Sequence, residues 1–108
     1  MATAYKVLGQ SAPAATTATT LYTVPSATSA VCSTLVICNR GVSTSVRVAV
    51  RPAGASLANQ HYIAYDVPVA QYNSTFLTLG ITLATTDIVT VYAGTTDVSF
   101  SLFGSEIS

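Results

Sequence analysis

The segment Val31-Cys-Ser-Thr-Leu-Val-Ile-Cys-Asn39 contains no charge, no glycine and no proline. Small, apolar and β-branched side chains occupy both its odd and its even positions, which predicts a strand buried on both faces, or nearly so. Residues 45–51, Ser-Val-Arg-Val-Ala-Val-Arg, alternate instead, which predicts a half-buried antiparallel strand with its three valines inward. Asn39-Arg-Gly41 between them is typical of a tight hairpin turn with positive φ. We therefore expect these two strands to pair.

Similar strand-like runs recur along the chain at intervals of about 10–12 residues. They lie at residues 5–8, 19–24, 60–67, 74–79, 88–92 and 97–102. Pro68, Gly80 and Gly104 follow three of these runs, and we expect them to end the strands. No window shows a helical stripe of useful length. The pattern predicts an all-β fold, a single antiparallel β-sandwich or jelly-roll-like domain of seven to eight short strands, with a small barrel as the alternative.

The N-terminal segment is less regular than the rest. After the run at residues 5–8 it becomes a mixture of Ala and Thr with little to bury. We expect residues 1–18 to form an N-terminal strand and extended arm, and residues 19–108 to form the sandwich, one domain in total. The arm either reaches onto a neighbouring subunit or is a plain surface loop.

The composition is poor in charge. Only 7% of the 108 residues are charged and the formal net charge is zero, whereas soluble domains typically carry about 25% charged residues. Such a surface has little self-repulsion in water. We expect much of it to lie against other subunits, in a homo-oligomer; the alternative is a soluble domain coated with Thr and Ser. The sequence shows no signal-peptide pattern and no apolar stretch of membrane-spanning length, so we expect synthesis in the cytoplasm and no membrane partner.

Cys32 and Cys38 are the two cysteines. In one straight strand their even spacing would place both on the same face, about 20 Å apart. A disulfide needs α-carbons within about 7 Å. The prediction is therefore two buried thiols that act as small hydrophobic side chains.

The residues that could carry chemistry are few. His61 is the single histidine, and Asp66, five residues later, would point to the opposite face of the same predicted strand. The other acids are Asp87, Asp97 and Glu106. No nucleophile elbow, metal-ligand spacing or glycine-rich phosphate loop is present. We predict no catalytic residues, no cofactor-binding residues and no metal ligands, and hence no enzyme and no cofactor.

Three arginines, Arg40, Arg47 and Arg51, lie on or near one predicted strand. Nucleic-acid-binding proteins are usually strongly basic, and this chain is neutral, so we expect no nucleic-acid partner. The arginines are expected to solubilise a sheet edge or to bridge to a carboxylate of a neighbouring subunit. Asn73-Ser-Thr75 matches the N-glycosylation triplet, which we interpret as chance.

Several segments follow one another in an order found in a known family. They are Thr20-Leu-Tyr-Thr-Val-Pro25, Val31–Asn39 with Arg-Gly41, Val46–Val50, Tyr62–Asp66, Thr78–Ile81, Asp87–Tyr92 and Phe100–Gly104. In this order the chain resembles small bacteriophage virion structural proteins. The resemblance implies a non-enzymatic β-rich module located in the virion, with other virion proteins as partners. A capsid decoration (cement) protein, which would contact the major capsid protein, is the first expectation. A tail, baseplate or fibre-attachment module, contacting a host glycan through Tyr62, Tyr65 and Tyr72, is the alternative.

Overall fold

The computed structural model describes residues 2–108, which form eight strands in two antiparallel sheets of four. The strands are β1 (Thr3–Ser11), β2 (Thr19–Thr23), β3 (Ser29–Asn39), β4 (Thr44–Arg51), β5 (Tyr62–Val69), β6 (Ser74–Leu83), β7 (Ile88–Ala93) and β8 (Val98–Ile107). Sheet A has the order β1-β8-β3-β6, and sheet B has the order β2-β7-β4-β5. Two three-residue 3-10 turns, Pro52–Gly54 and Asn59–His61, connect β4 to β5. The predicted all-β sandwich of seven to eight strands is confirmed. Over residues 2–108 no helix has the length and apolar character needed to cross a membrane.

The core lies between the two sheets and is formed by the inward-facing side chains of each strand. Alternation in the sequence predicted this burial well for β4 and β8. Val46 and Val48 are fully buried in β4, as are Val98 and Leu102 in β8, with Phe100 at 1% exposure. Apolar side chains from all eight strands join the same cluster, so the domain has one continuous core.

The predicted hairpin between the two central strands is wrong. β3 pairs with β6 and β8 in sheet A, whereas β4 pairs with β5 and β7 in sheet B. The buried side chain of Asn39 explains the crossing. Its Nδ2 donates to the carbonyl oxygens of Val42 at 2.8 Å, Ala70 at 3.2 Å and Val69 at 3.3 Å, and its Oδ1 accepts from the N–H of Gly41 at 3.0 Å. Neither Asn39 nor Gly41 has a positive φ. Asn39 therefore anchors a passage between sheets and does not form a tight turn.

A bulge in β3 changes the predicted positions of the cysteines. Cys32 pairs with Gly104 and Thr34 pairs with Phe103, which are consecutive residues of β8. Ser33 is therefore an extra residue in β3 with no partner in β8. The extra residue reverses the inward–outward alternation. Cys32 consequently faces the core while Cys38 lies half-buried on the outer face. The expectation that both share a face assumed a straight strand. β3 is buried on its inner face and only half-buried on its outer face.

The N-terminal strand is part of sheet A. β1 is longer than the predicted run and pairs with β8 along its length, with a bulge at Leu8 that turns this side chain into the core. Ala2 and Ser108 exchange two backbone hydrogen bonds, of 2.7 and 2.9 Å. Residues 12–18 then cross to sheet B, where the Thr16 N–H donates to the carbonyl oxygen of Ala93 at 2.8 Å. Met1, the first residue of the predicted arm, lies outside the described residues.

Three residues that were expected to end strands lie inside them. Pro68 is in β5, an edge strand, where a missing N–H is tolerated. Gly80 lies in β6 with a φ of +64°, which only glycine adopts without strain. Gly104 lies in β8, where a β-carbon would collide with the carbonyl oxygen of Val31. Each strand therefore runs further than the sequence pattern indicated.

Candidate interaction surfaces

The outer face of sheet A, which we call face A, is built from hydroxyl-bearing and apolar side chains. Strand register places the following residues on it: Tyr5, Val7 and Gln10 from β1; Ser99, Ser101, Phe103 and Ser105 from β8; Val31, Ser33, Thr34, Val36 and Cys38 from β3; and Ser74, Phe76, Thr78 and Thr82 from β6. No Asp, Glu, Lys, Arg or His side chain lies among them in the part of the chain that the structure describes. Face A is therefore an uncharged sheet surface.

Large apolar side chains are exposed at both edges of face A. Tyr5 is 87% exposed and Val7 is 45% exposed on β1, and Phe76 is 68% exposed on β6. Between the edges, Val36 and Phe103 are half-buried. An open groove of about 540 Å³ runs over β8. It is lined by Tyr5, Lys6, Val7, Val31, Ser33, Phe103, Gly104 and Ser105, and its one charged side chain, Lys6, is the one that pairs with Glu106.

The chemistry of face A suits contact with protein. Its aromatic and aliphatic groups are favourable to remove from water, and its hydroxyl groups can both donate and accept hydrogen bonds. An exposed apolar patch flanked by polar side chains is typical of a protein interaction site. Nothing on it resembles a nucleophile with a neighbouring base.

The outer face of sheet B, which we call face B, carries charge and aromatic rings. The guanidinium of Arg47 lies 4.2 Å from the centre of the Tyr65 ring and 4.6 Å from that of Tyr92. Its Nε donates to Oδ1 of Asp66 at 2.6 Å, and this hydrogen bond raises the pKa of Arg47. The rings of Tyr62 and Tyr65 meet edge to face at 4.9 Å. Asp66 thus balances the charge of Arg47 within the chain. A carboxylate from a neighbouring subunit, as expected from the sequence, is not needed to pair with Arg47.

The other two arginines also donate within the chain. Arg51 donates from Nε to Oγ1 of Thr90 and from Nη1 to the carbonyl oxygen of Ala55, both at 3.1 Å. Arg40 donates to the carbonyl oxygen of Thr96 at 3.3 Å. Arg47 and Arg51 share face B, whereas Arg40 lies beyond the end of β3. The arginines therefore do not form one basic patch.

A third group of polar side chains connects the sheets at the end where the chain termini meet. The Tyr22 hydroxyl donates to Oε2 of Glu106 at 2.6 Å, and Nζ of Lys6 lies 3.1 Å from Oε1. The hydrogen bonds from Tyr22 and then Lys6 hold the pKa of Glu106 below its usual value. Burial, followed by the hydrogen bond to Glu106, raises the pKa of Tyr22. Sequence reasoning missed this cluster because 84 residues separate Tyr22 from Glu106, with no local signal.

The predicted candidates for chemistry lie apart and have structural partners. His61 is in a 3-10 turn, not a strand, and its Nδ1 accepts from the N–H of Ala58 at 3.1 Å. Asp87 accepts from the N–H groups of Ala53 at 2.8 Å and Ala84 at 2.9 Å. Among residues 2–108 no group of three or more His, Cys, Asp and Glu side chains is arranged to hold a metal ion.

The three tyrosines of the glycan hypothesis are not gathered. Tyr62 and Tyr65 contact each other near the start of β5. Tyr72 lies in the turn that follows the end of β5, with a positive φ and 74% exposure. Asn73, in the same turn, uses its Oδ1 to accept from the N–H of Ser74 at 2.9 Å, so its side chain caps the start of β6.

The two thiols differ in environment. Burial raises the pKa of Cys32 to about 11, whereas Cys38 is half-buried on face A. Both are free thiols. Only Cys38 is therefore placed to react with a reagent in solution.

No protein-family model matches this chain, and no curated protein or solved structure is significantly similar to it. Hypotheses about function therefore depend on the two faces and the order of the sequence segments.

Proposed function

We propose that this chain is a non-enzymatic structural protein of a bacteriophage virion, a capsid decoration protein that stabilises the head by contacts with the major capsid protein and with its own copies. The observation that carries the proposal is face A, an uncharged surface with Tyr5 and Phe76 exposed at opposite edges. A surface of this kind is favourable to cover, since burial of apolar area contributes about 25 cal/mol per Å². A charged face would instead lose hydration on contact.

The edges of sheet A support an assembly role as well. β1 and β6 are its outer strands, of 9 and 10 residues. Long edge strands present unpaired backbone N–H and C=O groups to a neighbour, and proteins that remain monomeric commonly block them with charge or proline. β1 carries a single charged side chain, Lys6, which pairs with Glu106 of its own chain. The edge of β1 therefore carries no unpaired charge that would block strand addition, and only the bulge at Leu8 interrupts it.

Copy number in purified particles tests the proposal. Isotope-labelled reference peptides of this chain would be added to particles of the phage that encodes it and quantified by mass spectrometry. A decoration protein is expected at hundreds of copies per particle. A tail or baseplate component follows the lower symmetry of the tail and is expected at about six to eighteen copies. Absence from the particle would contradict both locations.

A tail or fibre-attachment module that contacts a host glycan is the second candidate, and face B favours it. Tyr65 is 56% exposed and Ile63 is 47% exposed on β5, next to Tyr62. Aromatic rings stack on sugar rings through their faces, but Arg47 already covers one face of Tyr65. A Tyr65→Ala variant that keeps its fold and loses binding on a glycan array would favour this candidate. Equal binding by the variant and the wild type, or none by either, would remove it.

A further inference from the structure

We infer that face A is the surface on which a second copy of this chain binds, in a two-fold symmetric pair with the two A sheets packed face to face. This inference deepens the proposed function, because it rests on the idea that the chain assembles and names the surface and the partner. The charge, the area and the distribution of apolar groups on face A all fit a second copy as the partner.

Face A offers no unpaired charge that would repel a second copy. It carries no Asp, Glu, Lys, Arg or His side chain in the described residues, and Lys6 beside its groove is paired with Glu106, so two copies can approach without bringing unpaired like charges together. A two-fold axis repeats every contact of the interface, so an unbalanced charge on the face would be buried twice. Face B carries Arg47, Asp66 and Arg51 and would lose hydration on burial. An uncharged face thus fits an uncharged partner, and its own copy is one.

Face A is large enough to form a specific interface with a second copy. Four strands at about 4.8 Å spacing and about nine residues at 3.3 Å give a face of roughly 570 Å² per copy. Two such faces bury about 1,100 Å² in total, which passes the approximately 1,000 Å² expected of a specific interface. The hydroxyl groups of Ser101 and Thr34 lie on the two central strands of that area, and that of Thr78 lies on the edge strand β6. All three can hydrogen-bond across the contact.

The large exposed apolar groups of face A concentrate at its opposite edges, with Tyr5 and Val7 on β1 and Phe76 on β6. An axis that runs between β8 and β3, close to the strand direction, places β6 of one copy over β1 of the other. The register of sheet A puts Phe76 in line with Val36, Ser101 and Gln10. Phe76 therefore lies over Gln10 of its partner, one outward position along β1 from Val7, and the reverse contact forms by symmetry. Sheets packed in this way lie about 10 Å apart with strands crossing at about 30°.

Charge substitutions with a matched control test this arrangement in the purified full-length chain. Phe76→Lys places a charge on face A, while Ile63→Lys places the same charge at an exposed apolar position on β5 of sheet B. Analytical ultracentrifugation is expected to show a dimer for the wild type and for Ile63→Lys. For Phe76→Lys we expect the dissociation constant of the dimer to be about 100-fold higher, since symmetry places the buried charge in the interface twice. Circular dichroism establishes that both variants remain folded.

Cysteine cross-linking supplies a second readout that does not depend on substituting an apolar residue. In the face-to-face pair the two Cys38 α-carbons are roughly 11 Å apart, too far for a disulfide and within reach of a short bismaleimide linker. The wild-type dimer is expected to form a covalent dimer with the linker, and Cys38→Ser is expected not to.

Three results would overturn the inference. The first is a wild-type chain that remains monomeric at high micromolar concentration. The second is a dimer that the Phe76→Lys substitution leaves intact, which is the result expected if the copies pair through the β1 edge. The third is a closed trimer, in which face A would contact a different surface. Each of them leaves the copy number in particles untouched. Likewise, a copy number that contradicts the proposed function is compatible with an observed dimer. The failure of the proposed function and the failure of this inference are therefore distinguishable.

Discussion

The hydroxyl of Tyr22 donates a 2.6 Å hydrogen bond to Glu106 and thereby joins β2 of sheet B to β8 of sheet A. Lys6 contacts the second carboxylate oxygen from β1. Glu106 is therefore held by two other strands close to the paired termini, where Ala2 and Ser108 share two hydrogen bonds. Ends of a chain usually fray, and this cluster opposes fraying of the first and last strands.

We expect Tyr22→Phe to lower the free energy of unfolding by about 1 kcal/mol, because it removes a hydrogen bond to a carboxylate that Lys6 still pairs. For a domain of this size that change corresponds to a decrease of about 4–8 °C in Tm. Tyr72→Phe is the matched control, since Tyr72 is 74% exposed, and it is expected to leave Tm unchanged. Thermal unfolding followed by circular dichroism measures both. Equal Tm values for the two variants would show that the Tyr22 hydrogen bond contributes nothing.

The same cluster predicts a dependence of stability on acid pH. The pKa of Glu106 is lower in the folded chain than in the unfolded chain. Its contribution to stability is therefore fully present above the unfolded pKa, near 4.3, and is lost as pH falls through the folded pKa. In chemical denaturation, Glu106→Gln is expected to be less stable than the wild type at neutral pH, with the difference narrowing as pH falls below about 4. A difference that is constant from neutral to acid pH would contradict the assignment.

The strands could be predicted from the sequence better than their pairing. Alternation of side chains identified the inner faces of β4 and β8, because it is a local property of an extended chain. The choice of sheet for β3 and β4 depends on Asn39, whose amide reaches the carbonyl oxygen of Ala70, 31 residues away. The bulges at Leu8 and Ser33 likewise depend on the partner strand β8. No window of sequence contains that information.

Face A illustrates the same limit. The outward positions of Ser99 and Ser101 in β8 follow from alternation with Phe100 and Leu102, whereas Ser105 lies beyond Gly104, where the strand was expected to end. Placing β1 and β6 on either side of β8 and β3 requires the sheet order. The low overall charge was visible in the composition. The gathering of uncharged outward side chains on one side of the sandwich was not, because composition does not say which strands are neighbours.

The crossing between the sheets should depend on the Asn39 amide. Asn39→Ala removes the donor to the Val42, Val69 and Ala70 carbonyl oxygens. We expect a loss of about 1–3 kcal/mol in the free energy of unfolding, since the buried carbonyl oxygen of Val69 and the part-buried ones of Val42 and Ala70 lose their donor. Asn73→Ala, at an exposed turn position, is the matched control, and its loss is expected to be under about 1 kcal/mol. Urea denaturation of the two variants gives both values, and similar losses would show that Asn39 has no special role.

Gly104 provides a test of the close approach between β8 and β3. A β-carbon at Gly104 would collide with the carbonyl oxygen of Val31, which belongs to the neighbouring strand and cannot move without disturbing the ladder. Gly104→Ala is therefore expected to destabilise the fold by about 2 kcal/mol or more, although alanine is otherwise a small change. At Gly80 a β-carbon meets no atom within 4 Å, but φ is +64°. Gly80→Asn, which tolerates a positive φ, is the control and is expected to lose less than about 1 kcal/mol. Denaturation midpoints that fall further for Gly80→Asn than for Gly104→Ala would mean that β8 and β3 can separate to admit a methyl group, and the register of the two strands around Ser33 would then need another explanation.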